Sequence, residues 1–132
     1  MTPPAGPAAD PFAVARQLCV DRTNAYRARA RLAPLQRDAA SEPCVDGQAR
    51  ADAATNKPHG TFSRCGERAQ NTCPGYPGRT PEEVVTSCLQ NMFDEGPGCG
   101  HHDNMMNTKY TGVACGFFPA RAGALWVVQD LR

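Results

Sequence analysis

Seven cysteines within 132 residues constrain the fold of this chain more than any other feature of its sequence. No two of them have the CxxC spacing that is typical of zinc modules. A reducing compartment would leave seven thiols without an evident role, whereas disulfides form and persist in oxidising compartments. The cysteine content therefore predicts a disulfide-stabilised domain that is secreted, periplasmic or extracellular. The cysteines are Cys19, Cys44, Cys65, Cys73, Cys88, Cys99 and Cys115.

Length and charge exclude several classes of protein. A chain of 132 residues suits one domain, which we place at 10–132, after a Pro/Ala-rich linker or disordered arm at 1–9. The formal net charge is +1, so the basic surface of a nucleic-acid-binding protein is not expected. No apolar run approaches the ~18 residues that a membrane span needs. The first residues, MTPPAGPAADPF, lack the basic start and apolar stretch of a signal peptide, and we expect that such a segment has been removed.

Hydrophobic periodicity and capping signals predict three helices followed by two strands. The helices are expected at 11–30, from Ser41 to before Pro58, and from Thr80, where a capping Thr precedes Pro and two Glu residues. The strands are expected at 113–118 and 124–131. Residues 59–79 are rich in Gly, Pro and Cys and predict a loop with one short strand at 67–72. Helices first and strands last indicate an α+β fold.

The positions of the cysteines relative to these elements suggest how they pair. Cys65 and Cys73 flank a short polar loop with little core around it, and this bridge is the firmest expectation. Three bridges within seven cysteines leave one thiol free, which we expect to be Cys99 in the Gly-rich loop, where it could link two chains. The two other expected bridges are Cys19–Cys44 and Cys88–Cys115.

Several short segments, in order along 12–130, resemble the bacterial form of the CAP superfamily of cysteine-rich secretory, antigen-five and pathogenesis-related proteins. Arg31 stands where the first of these patterns usually has Gly. The resemblance implies a three-layer α-β-α sandwich with a small antiparallel sheet. The similar segments are Asn24-Ala-Tyr-Arg27 with Leu32-Ala-Pro-Leu35, Cys73-Pro-Gly-Tyr76 with Thr80-Pro-Glu-Glu-Val-Val85, Gly100-His-His-Asp-Asn-Met-Met106, Tyr110-Thr-Gly-Val-Ala-Cys-Gly116 and Trp126-Val-Val-Gln-Asp130.

The same resemblance implies a central cleft lined by two histidines and two glutamates, which in some members holds a divalent metal. Carried over by position, the histidines are His59 and His101, and one glutamate is Glu95. The other glutamate position falls on Gln70, with Glu67 as the alternative alignment. A neutral amide is a weaker ligand for zinc than a carboxylate, so any zinc site formed by His59, His101 and Glu95 should be weak.

These residues leave three functions open. The first is a secreted binding or interaction module whose cleft accepts a lipid, a peptide or a glycan. The second is a metal-dependent hydrolase in which Glu95 acts as general base. The third is a purely structural extracellular domain. An enzyme is the less favoured reading, because no Ser/His/Asp or Cys/His set is apparent and Gln70 replaces an acid.

Overall fold

The computed structural model describes residues 2–3, 9–121 and 123–132. Most of the predicted linker at 1–9 lies outside these residues. Four α-helices, a 3₁₀ turn at Ala39–Ser41 and four strands follow one another along the chain. The helices are α1 (Ala13–Arg29), α2 (Glu42–Thr55), α3 (Pro81–Asp94) and α4 (Gly100–Met106). The strands are β1 (Gln36–Arg37), β2 (Ala69–Pro77), β3 (Gly112–Arg121) and β4 (Ala124–Leu131).

The four strands form one sheet in the order β1-β3-β4-β2. The β2–β4 and β3–β4 pairs are antiparallel, and the two-residue β1 adds a parallel pair beside β3. Helix α2 packs on one face of the sheet, and α1, α3 and α4 cover the other. The predicted α+β sandwich with three layers is therefore confirmed, with a sheet that is antiparallel except at β1.

Two hydrophobic clusters fill the spaces between the layers. The larger lies under α1, α3 and α4 and includes Leu89, Met105 and Val127. The smaller lies under α2, where Val45 and Ala49 meet Trp126. Alternation along the strands supplies both clusters, since successive side chains of a strand point to opposite faces of the sheet.

The asparagine and arginine of the first motif are structural residues. Asn24 forms two hydrogen bonds with the backbone of Leu35, at 2.9 and 2.7 Å. Arg27 is buried, donates to the carbonyl oxygens of Ala33, Met105 and Asn107, and has its pKa lowered by burial. Together they hold the end of α1 against the following segment and against α4.

The backbone conformation of Arg31 explains why the family pattern usually has glycine at this position. Its φ of 58° lies in the left-handed region, which favours glycine because that residue has no Cβ. The chain leaves α1 through this conformation even with a side chain present.

All three predicted disulfide pairings are wrong. The structure joins Cys44 at the start of α2 to Cys65, and therefore leaves the expected Cys65–Cys73 loop closure unmade. The other bridges each connect a helix to a strand across the core: Cys19 on α1 to Cys115 on β3, and Cys73 on β2 to Cys88 on α3. The predicted Cys19–Cys44 bridge assumed that cysteines close in sequence pair, and the predicted Cys88–Cys115 bridge assumed that α3 packs over β3. Both predictions are wrong because the stacking of the helices on the sheet decides which sulfur atoms meet.

Two elements were not predicted. The segment after the third helix, taken as a loop, contains α4, whose one buried residue, Met105, packs into the larger cluster. The two residues of β1 lie between Leu35 and the 3₁₀ turn. Seven and two residues are too few to give a clear periodic signal. As expected, Cys99 is free, and it is exposed at the start of α4.

Candidate functional site

The first sequence-predicted histidine lies near the start of the irregular segment that joins α2 to β2. His59 is exposed and adopts a left-handed φ of 63°, an uncommon conformation for a residue with a side chain. Its Nδ1 lies 2.8 Å from Gln70 Oε1. The structure thus places Gln70, the residue chosen by the first alignment, against His59.

Glu67, the alternative in the alignment, lies in a buried polar cluster on the α2 face of the sheet. Gln48 on α2 donates its Nε2 to both Glu67 carboxylate oxygens, at 3.1 and 3.0 Å, and to the Thr61 carbonyl oxygen at 3.0 Å. Glu67 is also hydrogen-bonded to Asp130 on β4, and both carboxyl groups are buried. Burial and then this hydrogen bond to Glu67 raise the pKa of Asp130 to about 8. At neutral pH Asp130 therefore keeps its proton, which is hydrogen-bonded to Glu67.

The second histidine pairs with the predicted glutamate. Nδ1 of His101, on α4, lies 3.0 Å from both carboxylate oxygens of Glu95, which follows α3. Both side chains are more than a third exposed. The pair therefore offers a solvent-accessible imidazole and carboxylate at the junction of α3 and α4.

Helix α4 is held in place by a network of side-chain amides. Asn71 Nδ2 donates to the His101 carbonyl oxygen at 3.1 Å and to Gln129 Oε1 at 2.9 Å. Its Oδ1 accepts from Asn104 Nδ2 at 2.9 Å. Since Gln70 and Asn71 are consecutive on β2, one edge strand supports both histidines, the first through a side chain and the second through its backbone.

His102, next to His101 in the sequence, lies neither at the rim of the site nor in solvent. Its side chain is only 12 % exposed, and its ring lies 5.1 Å from that of Phe93 in a tilted arrangement. Its Nδ1 lies 3.0 Å from Asp103, and this hydrogen bond is the main cause that lowers the pKa of that carboxyl. His102 is thus mainly a packing residue.

His59, His101 and Glu95 do not form a set of three side chains whose ligand atoms all lie within 4.8 Å of one another. Among the described residues, the one set of three such side chains whose ligand atoms lie within 4.8 Å of one another is Cys65, Glu67 and Asp130. Cys65 is in a disulfide and offers no thiolate, so this set does not fit zinc either. The prediction that the two histidine rings face each other across one ion stays a prediction.

The buried acid pair and its amide partners were missed by the sequence reasoning. Asp130 was read as the end of a closing strand, and Glu67 as an alternative ligand. The sequence signal for this cluster was the presence of polar residues within a strand that is otherwise apolar, as at 127–131. Such a residue must find a partner inside the fold.

One cavity among the described residues is lined mainly by apolar surface. This cavity, of about 380 Å³, lies between the start of α3 and the β3–β4 hairpin, lined by Phe12, Val84, Leu125 and other residues. It contains none of the residues that the sequence placed in the cleft. In the described part of the chain, no helix is both long enough and apolar enough to cross a membrane.

Comparisons with known proteins agree with the fold. The profile of the cysteine-rich secretory protein family (CAP) matches residues 20–131. No curated protein matches the sequence. An extracellular protein with an SCP domain from Bacillus anthracis has a similar structure, with a TM-score of 0.67 and 18% identity over 97% of this chain and 45% of that one. The chain thus spans about half the length of that protein.

Two animal proteins have similar structures. The hookworm platelet inhibitor has a TM-score of 0.61 and 16% identity, over 98% of this chain and 73% of the inhibitor. Schistosoma mansoni venom allergen-like protein 4 has a TM-score of 0.59 and 12% identity, over 94% of this chain and 88% of that protein. At these identities the likeness concerns the fold.

Proposed function

Because the chain belongs to the cysteine-rich secretory protein family, we propose that it is a secreted binding module. Its recognition surface is the cleft around His59–Gln70 and His101–Glu95. The observation that carries this proposal is the pair of imidazole contacts, His59 to Gln70 and His101 to Glu95. Each contact orients a histidine ring that stays accessible to solvent. Three disulfides and the extracellular relative from Bacillus anthracis support secretion.

The chemistry of the exposed groups favours a polar ligand. Imidazole, amide and carboxylate groups recognise hydrogen-bonding partners, and binding sites use a few such groups to orient a ligand. Of the three ligand classes expected from the sequence, a peptide or a glycan fits these groups better than a lipid. The apolar cavity beside α3 lies apart from both imidazole pairs.

A direct test follows the histidine resonances by NMR while three probes are added separately. The probes are a mixed tetrapeptide library, a chitin-derived tetrasaccharide and phosphatidylcholine vesicles. We expect the peptides or the saccharide to shift the signals of His59 and His101 together, and the double variant H59A/H101A to lose binding. Replacement of Arg50, which is exposed on α2, is the matched control and should leave binding unchanged. Shifts confined to one histidine, or binding that survives in H59A/H101A, would refute a shared cleft.

A divalent metal does not fit the described arrangement as a preformed ligand set. His59, His101 and Glu95 together carry one negative charge, and the Gln70 oxygen that could add a ligand is already next to His59. The hydrolase alternative needs a metal-bound water or a base facing substrate. It is therefore the weaker candidate, and metal analysis of the purified protein distinguishes the two.

Cys99 adds a possible mode of assembly to this module. Its thiol is exposed between Gly98 and Gly100, and an exposed thiol in an oxidising compartment pairs readily. We expect a fraction of the secreted protein to run as a dimer on non-reducing gels and the variant C99S to run as a monomer. A dimer that persists in C99S on a non-reducing gel would exclude this linkage.

A further inference from the structure

A continuous chain of hydrogen bonds joins the exposed ring of His59 to a buried carboxyl group. Gln70 is the middle link: its Oε1 lies 2.8 Å from His59 Nδ1, and its Nε2 donates to Asp130 Oδ1 at 2.9 Å. Gln70 and Asp130 are direct partners in the register of β2 and β4. The sheet therefore fixes the distance between these two side chains.

The acceptors around Gln70 decide which way its amide points. An ionised carboxylate can only accept hydrogen bonds, and a second acceptor, Gln48 Oε1, lies 3.4 Å from the same Gln70 Nε2. If the amide were turned over, its oxygen would face both of these acceptors without a donor. An amide is assigned from such a network, and here the network allows one orientation. Gln70 Oε1 consequently faces His59.

The shared proton of the acid pair leaves this orientation intact. Asp130 Oδ2 is buried and, among the described residues, has no donor, whereas Oδ1 accepts from Gln70. If Oδ2 carries the proton, Asp130 donates to Glu67 from that oxygen and keeps Oδ1 as the acceptor for Gln70. Gln48 donates to both oxygens of Glu67, which orients this carboxyl group beside Asp130.

We propose that Asp130 is a positioning residue that, acting through Gln70, holds His59 as the Nδ1–H tautomer and leaves Nε2 free to accept from a ligand. An amide oxygen can only accept, so the ring nitrogen facing it must carry the hydrogen. The hydrogen bond at one ring nitrogen of a histidine sets the role of the other. The assignment of His59 to the cleft rests on the proposed function, but the tautomer is a property of the ligand-free protein.

The test is the ¹⁵N spectrum of histidine-labelled protein at pH 7.5, without any ligand. Long-range ¹H–¹⁵N correlations separate a protonated ring nitrogen from an unprotonated one, and the signal of His59 is identified by its loss in H59Q. We expect Nδ1 of the neutral ring to carry the hydrogen. A ring protonated at Nε2 in the wild-type protein would overturn the proposal.

Three variants separate positioning from a merely structural effect. In D130N the new amide can donate to Glu67 while its oxygen accepts from Gln70, so the Nδ1–H tautomer should persist. In E67Q Asp130 still accepts from Gln70, and the tautomer should persist again. In D130A the closer acceptor is lost and only the 3.4 Å contact with Gln48 Oε1 remains to orient the Gln70 amide. His59 should then change to a mixture in which Nε2–H is present. Unchanged Nδ1–H in D130A, or its loss in D130N, would contradict the role of Asp130.

The design also covers a variant that does not fold. If D130A lacks native circular dichroism, the double variant E67Q/D130A is measured instead, because it leaves no buried carboxylate unpaired. It should show the same mixture of tautomers, and a pure Nδ1–H ring there would count against the proposal. Since no ligand is present, a failed binding experiment refutes the proposed function without touching this result.

Discussion

The proton held by Asp130 predicts an unusual dependence of stability on pH. Burial first, and then the hydrogen bond to Glu67, raise the pKa of Asp130 from 3.8 to about 8 in the folded protein. Between these values the folded state keeps a proton that the unfolded chain has released. The contribution of Asp130 to the free energy of unfolding then falls as the pH rises, by at most about 1.4 kcal/mol per pH unit for one proton. Above pH 8 the contribution levels off, because Asp130 is then ionised in both states.

The variant D130N isolates this contribution. The amide at position 130 of this variant cannot titrate. The difference in unfolding free energy between wild type and D130N should therefore shrink by up to about 3 kcal/mol from pH 5 to pH 7, because the pH changes by two units at about 1.4 kcal/mol per unit. Groups that titrate in both proteins cancel in this difference. Asp10 and Asp103, whose pKa values are lowered, act at more acidic pH.

Urea unfolding with intact disulfides, measured at pH 5, 6, 7 and 8, gives the required free energies. E67Q serves as a second reference: it removes one cause of the raised pKa, so its stability should stop declining at a lower pH than that of the wild type. Arg132, the cation facing the pair, opposes the rise and is unchanged in every variant. A wild type whose stability follows that of D130N in parallel across this range would refute the shared proton.

Three further changes test the packing, the disulfides and the site. A Cβ on Gly116 would collide with the carbonyl carbon of Val45 on α2 and would lie 2.5 Å from Asp46 N and 2.6 Å from Val45 O. G116A should therefore cost about 3 kcal/mol in urea unfolding. G47A, with open space around its Cβ, should be neutral or stabilising by up to about 1 kcal/mol. Replacing Cys73 and Cys88 by Ala, which opens a bridge with a sequence separation of 15, should cost about 3 kcal/mol in the same assay. Q70E adds the carboxylate that the wild-type ligand set lacks, so any zinc binding measured by calorimetry should be about tenfold tighter in Q70E than in the wild type. Equal affinities, or no zinc binding by Q70E, would show that this position does not contact a metal.

The sequence predicted the elements of this fold well where local chemistry decides them. The Thr-Pro-Glu-Glu start of α3 appears as expected, with Thr80 Oγ1 accepting from the Glu83 backbone at 3.2 Å. The strands that end the chain also lie where alternation predicted them, and β3 runs three residues further than expected. These signals depend on residues that are only a few positions apart, so a single sequence is enough to recognise them.

Pairings across the layers could not be predicted in the same way. The partner of Cys115 is 96 residues away, and only the packing of α1 on the sheet brings the two sulfurs together. The contact of His59 with Gln70 was anticipated only as an alignment, whereas Asp130 behind it was not anticipated at all. Non-local contacts depend on how helices and sheet are stacked, which a single sequence specifies only through its whole fold.

The bridge between Cys19 and Cys115 also bears on how this chain would survive proteases. Every peptide bond from residue 19 to residue 115 lies inside the ring that this bridge closes. A single cut in any loop of that span, including the exposed segments after α1 and after α2, therefore leaves both pieces covalently joined. A nicked molecule could remain assembled and retain its surface until the disulfide itself is reduced.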